Sequence, residues 1–134
     1  MEREILFRGK RTVDNKWVEG NLEYHPVTKM AFIRTPRHIY VDVEMVDPDT
    51  VGQYTGLTDK NGKKIFKGDI LAGSCSGKST EYFEVWWSEA SCGFVAGRGE
   101  RMRPNMNQAT VGRYEIAGNI YDNPELLQCG VTEI

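Results

Sequence analysis

The chain has 134 residues, with 17 Lys and Arg against 19 Asp and Glu, so its formal net charge is −2. This length predicts a single domain, residues 1–134, that buries about two thirds of its unfolded surface. A charged fraction of 27% and a hydrophobic fraction of 40% exclude a disordered chain and a strongly basic nucleic-acid binder. No segment has the roughly 18 apolar residues of a membrane-spanning helix, and the N-terminus has no apolar signal core. We therefore expect a cytoplasmic protein with no membrane partner.

Two short strands open the chain. The runs 4–9 and 16–24 are rich in aromatic and β-branched residues, and Asp14-Asn15 between them suits a turn, so they predict a hairpin. A third short run, "MAFIR", follows at 30–34. These runs have the period of two that is typical of β-strands.

The segment "HIYVDVEM" (38–45) alternates in polarity along its whole length. The alternation places four apolar side chains on one face: Ile39, Val41, Val43 and Met45. The opposite face carries two acidic residues, and this pattern predicts a half-buried strand. "DPDT" at 47–50 ends the strand, because proline removes a hydrogen-bond donor and aspartates bond to nearby backbone N–H groups.

The stretch "VGQYTGLTDKNGKKIFKGDI" (51–70) contains four glycines and four lysines. It predicts a strand interrupted by glycine, a turn at Asn61-Gly62, a short return strand "KKIF" and a second turn at "KGD". A calcium loop is not predicted, because Leu57 and Gly68 stand where the first and last acidic ligands should be. We interpret the stretch as a scaffold of turns rather than a binding loop.

The second half of the chain continues the β pattern. In "TEYFEVWWSE" (80–89), Phe83, Val85 and Trp87 share one face, and "ASCG" then turns into "FVA", which predicts another hairpin. Only "DNPELLQCG" looks helical, with Asn123 as cap and Gly130 as terminator. The sequence therefore predicts an all-β protein, an antiparallel meander or small β-barrel with one short C-terminal helix.

No metal, cofactor or catalytic site is predicted. Cys75, Cys92 and Cys129 are odd in number and widely spaced, so we expect reduced thiols and no zinc knuckle. His25 and His38 have no partner in sequence that would make either one a general base.

The segment "AGSCSGKST" (72–80) resembles a phosphate-binding P-loop. However, Ala72 replaces its first glycine, and a strand follows where a helix should begin. A flexible loop rich in Gly and Ser is the better interpretation. No nucleotide substrate and no other small-molecule substrate is predicted.

Two basic segments support an alternative function. Lysines surround the Asn61-Gly62 turn, and arginines lie in what we expect to be an irregular loop, 97–105. Basic loops beside exposed aromatic side chains bind nucleic acid in many small barrels. The candidate residues are Lys60, Lys63, Lys64, Lys67, Arg98, Arg101, Arg103, Tyr54 and Trp86. Lysines beside a turn are also common as solvated charges that protect a sheet edge.

Four blocks of sequence resemble the YopX-like family of small phage and prophage proteins. They are "ILFRGKR…NKWVEGNL", "TVGQYTGLTDKNGKKIFKGDI", "EVWWSEASCGF" and "EIAGNIYDNPELL", which follow one another in the family's order. The resemblance spans nearly the whole chain and implies an all-β, barrel-containing domain. It implies no biochemical function and no catalytic residues. At the matched positions, we expect Gly52, Gly56, Gly62, Gly68 and Gly118 to form turns, bulges or close backbone approaches, and Asp69 to bond turn amides.

Two functions follow as hypotheses. The first is a non-enzymatic binding or assembly module, oligomeric or bound to a protein partner, in the cytoplasm of a bacterial host. Its support is the abundance of aromatic residues and short edge strands without a nucleophile, base and orienting group. The alternative is nucleic-acid binding through the basic loops 60–67 and 98–103.

Overall fold

The computed structural model of the protein describes residues 4–73, 80–98 and 101–128. Their contacts divide the chain into two compact units, residues 1–56 and 57–134. The strands are β1 (Phe7–Lys10), β2 (Trp17–His25), β3 (Met30–Pro36), β4 (Val41–Val46), β5 (Gly52–Thr58), β6 (Lys64–Phe66), β7 (Asp69–Gly73), β8 (Glu81–Ser88), β9 (Gly93–Arg98), β10 (Arg101–Asn105) and β11 (Glu115–Asn119). A four-residue helix, α1 (Gln108–Val111), and two 3-10 helices, Pro48–Thr50 and Pro124–Leu127, complete the described elements. Of the loop predicted at 72–80, residues 72 and 73 belong to β7, and residues 74–79, with Cys75, lie outside the described residues, as do Cys129 and Gly130.

The strands form two antiparallel sheets, which confirms the predicted all-β class. One sheet has the order β4-β3-β2-β1-β5-β6 and the other has the order β10-β9-β8-β7-β11. In each sheet, four consecutive strands form a meander, β1 to β4 in the first and β7 to β10 in the second. The first strand of each meander also pairs with a later strand: β1 with β5, and β7 with β11. The sheets are open, so the meander is observed and the closed small barrel is not.

The first unit curls until the ends of its meander meet. Arg11, just after β1, bridges to Val46 at the end of β4. The N–H of Thr12 donates to the carbonyl of Met45 at 3.1 Å, and the N–H of Asp47 donates to the carbonyl of Lys10 at 2.8 Å. This curl encloses a small core of Ala31, Ile33 and Val46, against which Phe7, Val18, Leu22 and Val51 pack.

The second unit has the larger core. Its buried members are Ile65, Leu71, Phe83, Val85, Ala96, Val111 and Tyr114. The rings of Phe83 and Tyr114 stack with centroids 5.7 Å apart. The predicted pairing of Phe83 and Val85 on one buried face of β8 is therefore confirmed, whereas Trp87, the third residue of that row, is 46% exposed.

β4 is half-buried as the alternation predicts, but its apolar row is the exposed side. Val41, Val43 and Met45 are 47%, 47% and 42% exposed, and the side of the strand that is partly buried is the acidic one. The reason is that Val46, on the same side of the strand as both acidic residues, is buried in the core with Ala31 and Ile33, and each acidic side chain pairs with an arginine. Asp42 bonds to Arg37 at 2.8 Å and Glu44 lies 3.6 Å from Arg11. Paired carboxylates tolerate partial burial, so the aliphatic row is left facing solvent.

Two further sequence predictions need correction. The C-terminal segment forms the 3-10 helix Pro124–Leu127, and Asn123 does not cap it. Its side chain instead accepts a hydrogen bond from the N–H of Asn119 at 3.2 Å, beside the β-bulge between Ile116 and Gly118. The arginine segment expected to be an irregular loop contributes strand residues to the hairpin of β9 and β10 instead, with Arg98 opposite Arg101.

We expect Gly20 to be more sensitive to substitution than Gly56. A methyl group at Gly20 would overlap the backbone carbonyl of Arg34 on β3, which cannot move aside without breaking the sheet, whereas Gly56 has open space around it and a φ of +91°. Gly20→Ala should lower the free energy of unfolding by about 2 to 3 kcal/mol. Gly56→Ala should lower it by about 1 to 2 kcal/mol through backbone strain alone. Urea denaturation of both variants measures the difference, and an equal or reversed order would contradict this packing.

Candidate functional site

The stretch 51–70 is organised by one buried carboxylate, Asp59, which is 4% exposed. Its Oδ1 accepts hydrogen bonds from the N–H of Asn61 at 2.8 Å and of Lys63 at 2.9 Å. Its Oδ2 accepts from the N–H of Ile116 on β11 at 3.0 Å. Burial alone would raise the pKa of Asp59, but these three backbone donors outweigh it and hold that pKa below its ordinary value. Asp59 is therefore an ionised group with a structural role, and we call this carboxylate and its three hydrogen bonds the Asp59 tie.

A second buried carboxylate closes the next turn. Asp69 is 1% exposed, and its Oδ2 accepts from the N–H of Phe66 at 2.7 Å. Gly68, with a φ of +95°, donates to the carbonyl of Val85 and accepts from the N–H of Ile120. The prediction that Asp69 bonds turn amides is confirmed, as is the positive φ predicted at turn glycines.

The four lysines of the candidate nucleic-acid site lie around these turns. Lys63 and Lys64 are exposed, and Lys67 is half-buried. Lys60 lies 3.2 Å from Glu115, so part of its charge is neutralised locally. Burial raises the pKa of Glu84, and the positive charge of Lys67 partly offsets this effect. Two of the four lysines, Lys60 and Lys67, therefore have an acidic neighbour in the same unit.

The structure does not gather the aromatic candidates around the basic ones. Tyr54 is 8% exposed, so its ring is unavailable for stacking on a base, and Trp86 is half-buried on β8. The arginine candidates belong to two strands, Arg98 to β9 (Gly93–Arg98) and Arg101 and Arg103 to β10 (Arg101–Asn105). Nucleic-acid binding by this set of residues stays a prediction.

One cleft of about 410 Å³ lies in the first unit, where β2 and β3 diverge. It is lined by Trp17, Val18, Glu19, Thr35 and Arg37. The Arg8 guanidinium lies 4.6 Å from the Trp17 ring centroid, and the Lys10 ammonium lies 5.7 Å from it, so the indole is already engaged by cations of its own strand pair. The hydroxyl of Thr35 donates to the carbonyl of Glu19 at 2.6 Å and ties the two strands at the cleft.

The second unit has a smaller cleft of about 260 Å³, lined in part by Lys60, Arg113 and Glu115. Within the described ranges, no group of three or more His, Cys, Asp or Glu residues could hold a metal ion. Cys92 is an exposed free thiol, and His25 bonds to Glu23 at 2.8 Å at the surface. Across residues 4–73, 80–98 and 101–128, no helix is long and apolar enough to cross a membrane.

The most unusual surface is the solvent-exposed face of β4, the face that carries its aliphatic side chains. We call Val41, Val43 and Met45 the β4 row. The turn just before it adds Ile39, 82% exposed, and Tyr40, 58% exposed. Single exposed apolar residues are ordinary, but five within seven positions, on an edge strand and the turn before it, are the kind of patch that marks an interaction surface.

The backbone of β4 is also open on this edge. The carbonyl of Met45 points away from β3, because it accepts a hydrogen bond from Thr12 on the outer side. In a strand the amide groups of every second residue point to the same side, so those of Val41 and Val43 face outward too. β4 is the end strand of its sheet. Residues 10–12 pair with its last two residues, and among the described residues no strand pairs with this edge at Val41 to Glu44. Sequence reasoning missed this edge because alternation shows which residues share a face but not which face is buried.

These observations define a small antiparallel all-β protein with buried structural carboxylates in its turns and an apolar edge strand. A family model described as YopX protein matches residues 6–128, and the chain belongs to that family. No curated protein matches it. Among solved structures, it is similar to the crystal structure of protein EF1440 from Enterococcus faecalis, with a TM-score of 0.62 and 24% identity over 94% of this chain and 99% of that one. At this identity the likeness shows the fold alone.

We expect the Asp59 tie to be visible as a pH-dependent contribution to stability. Asp59→Ala removes an ionised acceptor shared by three N–H groups and should cost about 3 kcal/mol at pH 7. A carboxyl whose pKa is lowered by folding stabilises the folded state above its unfolded pKa of about 3.9, and this contribution is lost as pH falls through the folded pKa. The difference in free energy of unfolding between wild type and Asp59→Ala should therefore be largest at pH 7 and should decrease below about pH 4.

Chemical denaturation at a series of pH values measures this gap. Asp49→Ala is the matched control, because Asp49 is exposed in the 3-10 helix Pro48–Thr50. We expect it to change stability by less than about 0.5 kcal/mol. A gap for Asp59→Ala that is independent of pH would contradict an ionised tie.

Proposed function

We propose that the protein is a non-enzymatic binding or assembly module that holds a protein partner on the outer edge of β4. The single observation that carries this proposal is the inverted polarity of that strand, whose aliphatic side chains face solvent while its carboxylates face inward. An exposed apolar row on an edge strand is costly for a protein that acts alone, because it invites uncontrolled strand pairing. Its retention is explained if a partner covers it.

The setting that fits this role is the one implied by the family resemblance. We propose that the protein works in the cytoplasm of a bacterial host carrying a phage or prophage, within an assembly that supplies the partner. The exposed thiol of Cys92 fits a reducing compartment. The proposal assigns no substrate and no cofactor.

We expect Val43→Lys to abolish partner binding while leaving the fold intact. Val43 lies in the middle of the β4 row and is 47% exposed, so a lysine there changes stability by less than about 0.5 kcal/mol but places a charge in the centre of the contact. Loss of a central apolar contact typically weakens binding at least tenfold. The measurement is quantitative capture from lysate of phage-infected cells, with wild type and variant as immobilised baits.

Val27→Lys is the matched control for this experiment. Val27 is 94% exposed in the turn between β2 and β3, so the same change of residue type falls outside β4. Proteins that wild type and Val27→Lys retain, and that Val43→Lys loses, support the proposal. An identical set of captured proteins with all three baits would refute it.

The nucleic-acid alternative makes a separate prediction. If the lysines 60–67 follow a phosphate backbone, wild type should shift single- or double-stranded DNA or RNA at about 50 mM salt, and the shift should weaken steeply as salt rises. Because Tyr54 is buried and Lys60 is paired with Glu115, we expect no shift. A salt-sensitive shift that Lys63→Glu with Lys64→Glu removes would instead favour the alternative.

A further inference from the structure

The outer edge of β4 presents two kinds of recognition group in a fixed alternation. Val41 and Val43 turn their backbone N–H and C=O groups toward the open edge and their side chains toward the exposed face. Asp42 and Glu44 turn their backbone groups toward β3 and their side chains toward the opposite face. A strand laid along this edge would therefore meet an aliphatic row on one face and a pair of carboxylates on the other.

A second copy of β4 is a poor occupant of this edge. In an antiparallel pair, residues whose amide groups face the partner lie opposite one another, so the residues between them also lie opposite one another. Every such pairing of β4 with itself that overlaps its middle places Asp42 or Glu44 opposite Asp42 or Glu44. Like charges directly opposite each other destabilise a strand pair. The two acidic residues act against self-pairing, a known way of protecting edges.

The same carboxylates favour a basic partner. The Arg37 guanidinium contacts one oxygen of Asp42, Oδ2, and the Arg11 guanidinium lies near one oxygen of Glu44, Oε1. An ionised carboxylate has about four acceptor sites on its two oxygens, so each can accept a further Lys or Arg from a neighbouring strand. Side-chain exposures of 34% for Asp42 and 32% for Glu44 leave both within reach of such a strand.

We infer that the β4 edge binds an extended segment of a partner protein that alternates apolar residues with lysine or arginine and adds to the sheet as an antiparallel strand. The apolar residues extend the β4 row, the basic residues pair with Asp42 and Glu44, and the backbone of Val41 and Val43 supplies the hydrogen bonds. Added strands gain affinity from main-chain bonds and specificity from alternate side chains. This inference rests on the proposed function and specifies its partner.

Three fluorescein-labelled peptides test the inference. One alternates valine with lysine over five residues between Gly-Ser flanks, the second replaces the lysines by glutamates, and the third has the composition of the first in a non-alternating order. We expect the alternating basic peptide to bind about tenfold more tightly than either control at about 50 mM salt. The acidic peptide replaces two opposite-charge pairs by two like-charge pairs, and the non-alternating peptide cannot place its valines on one face and its lysines on the other. The preference over the acidic peptide should shrink at about 300 mM salt as the charges are screened.

Two variants identify the edge as the binding site. Val43→Pro removes an N–H group that faces the open edge rather than β3, a position where sheets tolerate proline, and it should lower affinity at least tenfold. Asp42→Lys replaces the carboxylate that pairs with Arg37 by a positive charge and leaves only Glu44 to bind a basic residue, so it should abolish the preference for the basic peptide over the acidic one. Circular dichroism of both variants confirms folding, and Asp42→Lys suffices if the proline variant does not fold.

Each other outcome overturns the inference. Equal binding of the basic and acidic peptides removes its electrostatic basis, and binding that survives both variants places the site elsewhere. A concentration-dependent dimer in light scattering that Val43→Lys disrupts would make a second copy the occupant. If no peptide binds while Val43→Lys still loses a partner captured by wild type, the inference about partner chemistry fails and the proposed function stands.

Discussion

In the second unit, one buried carboxylate joins residues that are far apart in the chain. The Asp59 carboxylate satisfies the N–H groups of the turn that follows it and, 57 positions later, the N–H of Ile116 on β11. The neighbouring N–H of Lys60 bonds to the carbonyl of Tyr114, whose ring stacks on Phe83 in the core and lies against Gly73. One side chain therefore fixes a turn, a strand and the position of a core aromatic residue at the same time. Its low pKa keeps it ionised at physiological pH, the state in which it accepts all three hydrogen bonds.

Local chemistry in the sequence predicted the turns and strands well. Asn15, Gly62 and Gly68 adopt positive φ where the sequence indicates turns, and strands β1, β2 and β5 to β9 lie within or close to the runs that the sequence predicts. Such features depend on a few adjacent residues, so a single sequence is sufficient to find them. The all-β class follows from them directly.

Long-range pairing explains what the sequence did not reveal. The buried side of β4 is the one that carries Val46, which packs with Ala31 and Ile33 of β3, so alternation within β4 could not identify its buried face. The Asp59 tie was missed because Ile116 is remote, although an aspartate two residues before Asn-Gly is a recognisable turn signal. Asn123 bonds back to Asn119 rather than capping a helix, a choice between two local partners that the sequence leaves open.

The two sheets have the same order of elements, although the sequence shows no internal repeat. In each, four strands form a meander, a single helical turn follows, and the next strand of that sheet pairs with the first strand of the meander. The side chain of Asp47 caps the helical turn in the first unit and that of Asn107 caps it in the second. The two sheets therefore share their strand order and a capped helical turn, although their core side chains differ.

The bond between Thr12 and Met45 limits the length of the open edge, since it already occupies the outward carbonyl at the end of β4. A partner strand can therefore pair with only about four residues of β4, and so short a pairing is weak by itself. Stable binding then requires several such contacts at once, because linked binding sites together bind much more tightly than any one of them does alone. For the proposed binding role, the affinity of the protein therefore depends on how many copies of this edge a partner engages at once.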